Sequence, residues 1–120
     1  MNNICISSYT DFHCLAHAPS GTIADVRLLL LNNSEKNPIS IPELYNPAFM
    51  IKHPKSETYY ACLESINEGH IATISDMKLK QILKCGGKSS CFLAFDPSLK
   101  YLVNINYWDS SISIHSIDTQ

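Results

Sequence analysis

The sequence predicts an all-β protein built from repeated units of short antiparallel strands. Within the 120 residues, segment 46–64 aligns without a gap on segment 89–107, at an offset of 43 residues. The stretches that begin at Gly69 and Ser110 extend the alignment at an offset of 41 residues. Few letters are identical, so the repeat is one of pattern. Such a repeat decides the fold class, because each copy is one structural unit.

The first strands of the units are predicted from where their apolar runs stop. A fainter copy opens the chain, where segment 4–9 resembles segment 103–107 and segment 22–28 resembles the strand that follows it. In the two clear copies, the apolar runs stop at His53-Pro54 and Asp96-Pro97. Proline lacks an N–H donor and forces the residue before it out of helical geometry, so these runs are strands that end in turns. Segments 58–64 and 101–107 are the strands that follow.

The later strands of the units are predicted from alternation. Segment 112–117 shows near-alternation of isoleucine with polar residues, the period-two pattern of a half-buried strand. Segment 76–84 mixes leucine and isoleucine with lysine, which a helix could also accommodate. A fourth strand fits the repeat better there.

A period of 41 to 43 residues with about four strands per unit is typical of the blades of a β-propeller. The repeat predicts a partial blade at 1–43, a blade at 44–85 and an incomplete blade at 86–120. Known propellers close a ring with ~4–8 blades, because each blade buries its faces only against its neighbours. We therefore expect this chain to be the N-terminal part of a longer protein, with further blades after Gln120. Assembly of several copies is the alternative.

Composition narrows the classes of partner. Nine basic residues stand against eleven acidic ones without a basic cluster, so nucleic acid is not expected as a partner. No segment approaches the ~18 apolar residues of a membrane helix, and no secretory signal opens the chain, so we expect a cytoplasmic protein. The five cysteines form no C-x-x-C pair, which predicts neither a disulfide framework nor a zinc site. We expect no metal and no cofactor.

Several motifs together resemble one known family, the lactonase-type seven-bladed propellers. This family includes the cycloisomerase-like 6-phosphogluconolactonases and the fungal carboxy-muconate cyclases. The matching segments are Ile6–Thr10, Asn46–Phe49 with His53-Pro54, Tyr60–Glu64, Phe92–Pro97, and Lys100–Tyr107 with Ser111–Ile114. They are similar to the family's G-S/T-Y-T, N-P-S-Y/F…H-P, L-Y-A-V-N-E, H-V-S-V-D-P and R-Y-L-L-V-A-N-Y…G-S-V-S-V segments. The chain departs from the family at Ser56 and Leu99, where the family has glycine, and at Leu63, where it has asparagine.

The resemblance implies hydrolysis of a lactone such as 6-phosphogluconolactone, in which a base takes a proton from the attacking water and donors stabilise the oxyanion. The alternatives are a cyclase that closes a muconate to a lactone, and a propeller that serves as a protein-binding scaffold without catalysis. The family's histidine-rich segment is absent from these 120 residues, and Arg27 is the one arginine available for a phosphate. We therefore expect the chain alone to be inactive.

Blade geometry selects candidate catalytic residues. The inner strand begins and the second strand ends at the same mouth of the channel, so Glu64, which follows an apolar strand, should lie on this rim. A dehydrated carboxylate holds its proton more tightly, as a general acid or base requires. The alternative for Glu64 is a hydrogen-bonded structural carboxylate. His17, on an inserted loop, is the second catalytic candidate, with a solvated loop histidine as its alternative.

The same geometry selects candidate substrate-binding residues on the rim. They are Asn46, Ser89 and Ser90 at strand starts, and Tyr9, Asn106 and Tyr107 at strand ends. For Asn106 and Tyr107 the alternative is packing and turn hydrogen bonding at the end of a strand.

Overall fold

A computed structural model of the chain describes residues 3–7, 9–15, 28–32 and 39–117. These residues form ten strands and a short 3-10 helix at Phe12–Cys14, and they contain no α-helix. The strands are β1 Asn3–Ile6, β2 Leu28–Asn32, β3 Ile39–Ile41, β4 Pro47–Lys52, β5 Thr58–Leu63, β6 His70–Ser75, β7 Lys78–Lys84, β8 Ser90–Phe95, β9 Tyr101–Asn106 and β10 Ser111–Ser116. The prediction of an all-β fold is confirmed. No helix long and apolar enough to cross a membrane occurs in the described part of the chain.

The strands form three antiparallel sheets in chain order. The first sheet is β1-β2-β3, the second is β4-β5-β6-β7 and the third is β8-β9-β10. Segment 76–84 supplies the fourth strand of the second sheet, as the repeat predicts, rather than a helix. The strand predicted at 22–28 differs in position, because β2 starts at Leu28, and residues 22–27 lie outside the described residues.

The second and third sheets repeat each other in detail. Strands β4 and β5 start 43 residues before β8 and β9, and β6 starts 41 residues before β10. The first hydrogen-bonded pair of each sheet carries the same bulge, between Pro47 and Phe49 in one and between Ser90 and Phe92 in the other. The two inner strands, β4 and β8, therefore begin with the same local geometry.

The turn between β8 and β9 contains a strained backbone position. Asp96 accepts hydrogen bonds from the N–H groups of Ser98, Lys100 and Tyr101. Leu99 has a φ of 59°, the left-handed region that glycine adopts most easily. Leu99 therefore adopts a backbone conformation in this turn that glycine would adopt with less strain.

The second sheet is covered on both faces. On β5, Tyr59, Ala61 and Leu63 pack in a cluster with Ile41 and with Cys5 of the first sheet. The alternate residue Cys62 is fully buried with Leu93 and Leu102 of the third sheet. The rings of Phe49 on β4 and Phe92 on β8 lie 5.0 Å apart, so the inner strands of the two sheets are neighbours. The three sheets therefore stack in chain order with the second sheet in the middle.

Candidate functional site

Glu64 directly follows β5, at the end of the second sheet where β4 begins. Its N–H donates to the carbonyl oxygen of Asn46 at 3.0 Å, which joins the end of the second strand to the start of the inner strand. Tyr107 makes the equivalent bond in the third sheet, where its N–H donates to the carbonyl of Ser89 at 2.9 Å. The starts of the inner strands β4 and β8 and the ends of the second strands β5 and β9 therefore lie side by side at one end of their sheets.

The half-buried Glu64 carboxylate is held by a tyrosine 55 residues earlier in the chain. The hydroxyl of Tyr9 donates to Oε2 of Glu64 at 2.8 Å. Burial, and then the hydrogen bond to Glu64, raise the pKa of Tyr9 to about 12. The hydroxyl therefore remains a proton donor at neutral pH, and it fixes the orientation of one carboxylate oxygen.

Asn46 places the segment that carries Tyr9. Its side chain is fully buried, and Oδ1 accepts the N–H groups of Thr10 and Asp11, each at 2.7 Å. Its Nδ2 donates to the carbonyl of Asp11 at 2.6 Å and to that of Glu64 at 3.2 Å. The structure thus gives Asn46 a positioning role beside Glu64, and a direct contact with substrate stays a prediction.

Ser89 occupies the position of Asn46 one repeat later. Both residues have left-handed backbones, with φ of 43° at Asn46 and 54° at Ser89. The N–H of Ser89 donates to the carbonyl of Ser65 at 2.7 Å. Its hydroxyl is fully buried and has no hydrogen-bond partner in the described part of the chain. The backbone of Ser89 therefore accepts the residue after the second strand as that of Asn46 does, but its side chain does not hold a neighbouring segment as the Asn46 amide does.

Asn106 belongs to a buried polar network between the second and third sheets. Its Oδ1 accepts from Nδ2 of Asn104 at 2.7 Å and from the thiol of Cys85 at 3.1 Å, and its Nδ2 donates to Ser111 at 3.1 Å. Asn104 in turn accepts a hydrogen bond from the hydroxyl of Ser90. Both asparagines and Ser90 are fully buried in the third sheet, and the thiol of Cys85, directly after β7, links them to the second sheet.

The remaining predicted site residues differ in how much the structure says of them. Tyr107 follows β9 and exposes 59% of its surface on the same edge as Glu64. His17 lies outside the described residues. Among the residues described, no group of three or more histidine, cysteine, aspartate or glutamate side chains is arranged to hold a metal ion.

Cys91 is a neighbour of Glu64 that was not among the predicted site residues. It is the residue that the bulge of β8 leaves unpaired, and its thiol donates to the carbonyl of Ile105 at 3.7 Å. Burial and the Glu64 carboxylate raise the pKa of this thiol, which keeps it protonated. The signal that could have found it is its position at a strand start on the rim, because bulges often redirect a side chain near a site.

Comparison with known proteins gives a consistent result. Residues 3–120 match the family described as lactonase, 7-bladed beta-propeller. A 6-phosphogluconolactonase of Formosa agariphila is 29% identical over 86 residues, which cover 65% of this chain and 24% of that protein. The crystal structure of a candidate 6-phosphogluconolactonase from Bacteroides fragilis shares the fold, with a TM-score of 0.69 at 21% identity, over 98% of this chain and 32% of that one. The chain spans about a quarter to a third of the length of these two proteins.

Proposed function

Because the chain belongs to the lactonase family of seven-bladed β-propellers, we propose that it forms part of an enzyme that hydrolyses a sugar lactone. The relatives named 6-phosphogluconolactonase support a phosphorylated sugar lactone as the substrate. Residues 44–85 and 86–120 are then two successive blades, preceded by a partial blade at 1–43. The observation that carries the proposal is the Glu64 carboxylate held by Tyr9 on the rim.

Glu64 is the proposed general base. A water molecule attacks the carbonyl carbon of the lactone while Glu64 takes one of its protons. The ring C–O bond of the tetrahedral intermediate then breaks, and the departing alkoxide takes the proton from Glu64, which restores the base and leaves the open hydroxy acid. Tyr9 binds Oε2 and leaves Oε1 as the oxygen that receives the proton. Its hydroxyl stays protonated through this cycle because its pKa is about 12.

The predicted substrate-binding residues divide by burial. Tyr9 and Tyr107 expose side chains on the rim, and we propose that Tyr107 contacts the substrate. The other three are fully buried, and we propose that they hold the rim residues in position; they are Asn46, Ser89 and Asn106. His17 remains the proposed second proton carrier of the site.

Further blades complete the site in this proposal. A sugar phosphate needs cationic groups, preferably the guanidinium of arginine, and the one arginine of the chain is Arg27. Additional phosphate-binding and acid-base groups must then come from blades beyond this chain. We therefore expect no lactonase activity from the 120 residues alone, and activity in the cytoplasm from the complete protein.

The test is lactone turnover by the complete polypeptide that contains this chain. Glu64→Gln keeps an acceptor for Tyr9 but removes the base, and should lower kcat at least about 100-fold. Glu68→Gln is the matched control, since Glu68 lies on the same loop and pairs with Lys84 at 3.3 Å. No turnover of any sugar lactone by the folded protein would contradict the lactonase function and favour a scaffold. Equal loss of activity in both variants would contradict the role of Glu64.

A further inference from the structure

Lys88 lies in the loop between the second and third sheets, shortly before β8 begins. Its N–H donates to Oδ2 of Asp109 at 3.1 Å, and its carbonyl oxygen accepts the N–H of Trp108 at 3.3 Å. Oδ1 of Asp109 is bonded as well, because it accepts the hydroxyl of Ser111 at 2.8 Å. The backbone of Lys88 is therefore held on both sides, whereas the residue itself is exposed.

The same loop brings Lys88 close to the rim residues Glu64 and Tyr107. Ser89, the next residue, donates its N–H to the carbonyl of Ser65 at 2.7 Å, and Ser65 directly follows Glu64. The carbonyl of Ser89 accepts the N–H of Tyr107 at 2.9 Å. Lysine carries its ammonium group on a long and flexible stem. Lys88 can therefore contact a ligand that also contacts Glu64.

The positions of the other lysines single out Lys88. Most of the described lysines lie on or near the turns at the opposite end of the sheets from Glu64; they are Lys52, Lys55, Lys78, Lys80 and Lys100. At the Glu64 end, Lys84 forms an ion pair with Glu68 at 3.3 Å. The ammonium of Lys88 forms no ion pair with a carboxylate of the described residues. Lys88 is thus the one described lysine at this end whose charge is available to a ligand.

An available ammonium group beside a carboxylate base suits a substrate with an anionic group outside its reacting ester. A phosphorylated sugar lactone has this form, because its phosphoryl group is attached to the ring through a methylene carbon. The charge of Glu64 alone would repel such an anion, and a nearby cation offsets this repulsion. Lysine binds phosphate as a compact point charge.

We propose that Lys88 binds the phosphoryl group of the lactone while Glu64 acts on the water that attacks the ring carbonyl. This inference rests on the proposed lactonase function and adds a specificity residue to it. Lys88 distinguishes phosphorylated from unphosphorylated lactones and takes no part in the proton transfers. Its removal should therefore affect one class of substrate and leave the other unchanged.

The test is steady-state kinetics of the complete polypeptide on 6-phosphogluconolactone and on unphosphorylated gluconolactone. Lys88→Gln should lower kcat/KM for the phosphorylated lactone at least about 10-fold, and should leave kcat/KM for the unphosphorylated one within about two-fold. Lys88→Arg keeps the charge and should retain most of the activity. Lys100→Gln is the matched control, because it removes the same charge from an exposed position at the opposite end of the sheets. It should leave both substrates unaffected.

Inhibition by the product, 6-phosphogluconate, measures the same contact without the chemical step. Its inhibition constant should rise at least about 10-fold in Lys88→Gln and stay unchanged in Lys100→Gln.

The outcomes separate this proposal from the proposed function. Equal losses on both lactones in Lys88→Gln, or kinetics and inhibition equal to those of Lys100→Gln, would overturn the role of Lys88 and leave the lactonase function standing. Turnover of the unphosphorylated lactone alone would do the same. No turnover of either lactone by the folded, unchanged protein would contradict the lactonase function, and the role of Lys88 with it.

Discussion

At the scale of single residues, Asn46 and Ser89 show how one position of the repeat can serve two purposes. Both begin an inner strand, both have a left-handed backbone, and both are fully buried. Asn46 satisfies two N–H groups of the segment that follows Tyr9, whereas the hydroxyl of Ser89 has no partner among the described residues. The side chain at this position therefore decides whether the rim segment is clamped.

This difference predicts unequal costs for the same substitution. Asn46→Ala leaves the N–H groups of Thr10 and Asp11 without their acceptor, and should lower the free energy of unfolding by about 2–4 kcal/mol. Ser89→Ala removes a buried hydroxyl that has no partner in the described residues, and should change it by less than about 0.5 kcal/mol. Alanine meets a left-handed backbone at both positions, but asparagine tolerates that backbone better than serine does, so up to about 1 kcal/mol of the difference is conformational. Denaturant unfolding measures both values, and equal costs would contradict the clamp.

At the scale of elements, the network centred on Asn104 joins β9 to the second sheet. Nδ2 of Asn104 donates to Asn106 and to Ser113 at 3.1 Å, and Oδ1 accepts the hydroxyl of Ser90. The same Oδ1 of Asn104 also accepts a hydrogen bond from the thiol of Cys62 on β5, at 3.7 Å. A buried polar network of this kind stabilises a fold only while every member is satisfied.

Replacing the centre of the network should therefore be costly even with a side chain of similar size. Asn104→Leu leaves Ser90 and Asn106 with unmet hydrogen bonds, and should lower the free energy of unfolding by about 2–4 kcal/mol. Val103→Leu introduces the same residue one position earlier, on the opposite face of β9, and should cost less than about 0.5 kcal/mol. Thermal or denaturant unfolding separates the two. A stable Asn104→Leu variant would show that the amides add nothing to the packing of these sheets.

Local patterns in the sequence were enough to predict most of the strands. Alternation and the two X-Pro turns placed β4–β6 and β8–β10, because side chains with a period of two and missing N–H donors act over a few residues. The start of β2 at Leu28 was missed because the opening copy of the repeat is faint.

The site was predicted only in part, for physical reasons. Glu64 could be placed on the rim because it ends an apolar strand, but its bond to Tyr9 joins residues far apart in sequence. Burial of Asn46 and Asn106 was not predictable, since an asparagine at a strand end has the same local pattern whether it faces solvent or another sheet. The position of Cys91 near Glu64 depends on the bulge at the start of β8, and no local sequence pattern indicates that bulge.

At the scale of the whole molecule, three stacked sheets give two different surfaces. The second sheet is covered on both sides and carries Glu64 at its edge. The third sheet packs against the second through Leu93 and Leu102, and on its other face Ile112 and Ile114 expose 68% and 67% of their surfaces among the described residues. In the proposed account, the first of these surfaces contributes the catalytic rim.

The most direct test of the account is chemical rescue of Glu64 in the complete polypeptide. Glu64→Ala should lower lactone turnover at least about 100-fold, and formate, a small carboxylate that fits the vacated space, should restore part of it. Turnover equal to that of the unchanged protein, or a loss that formate does not relieve at any concentration, would contradict the role of Glu64 as the base.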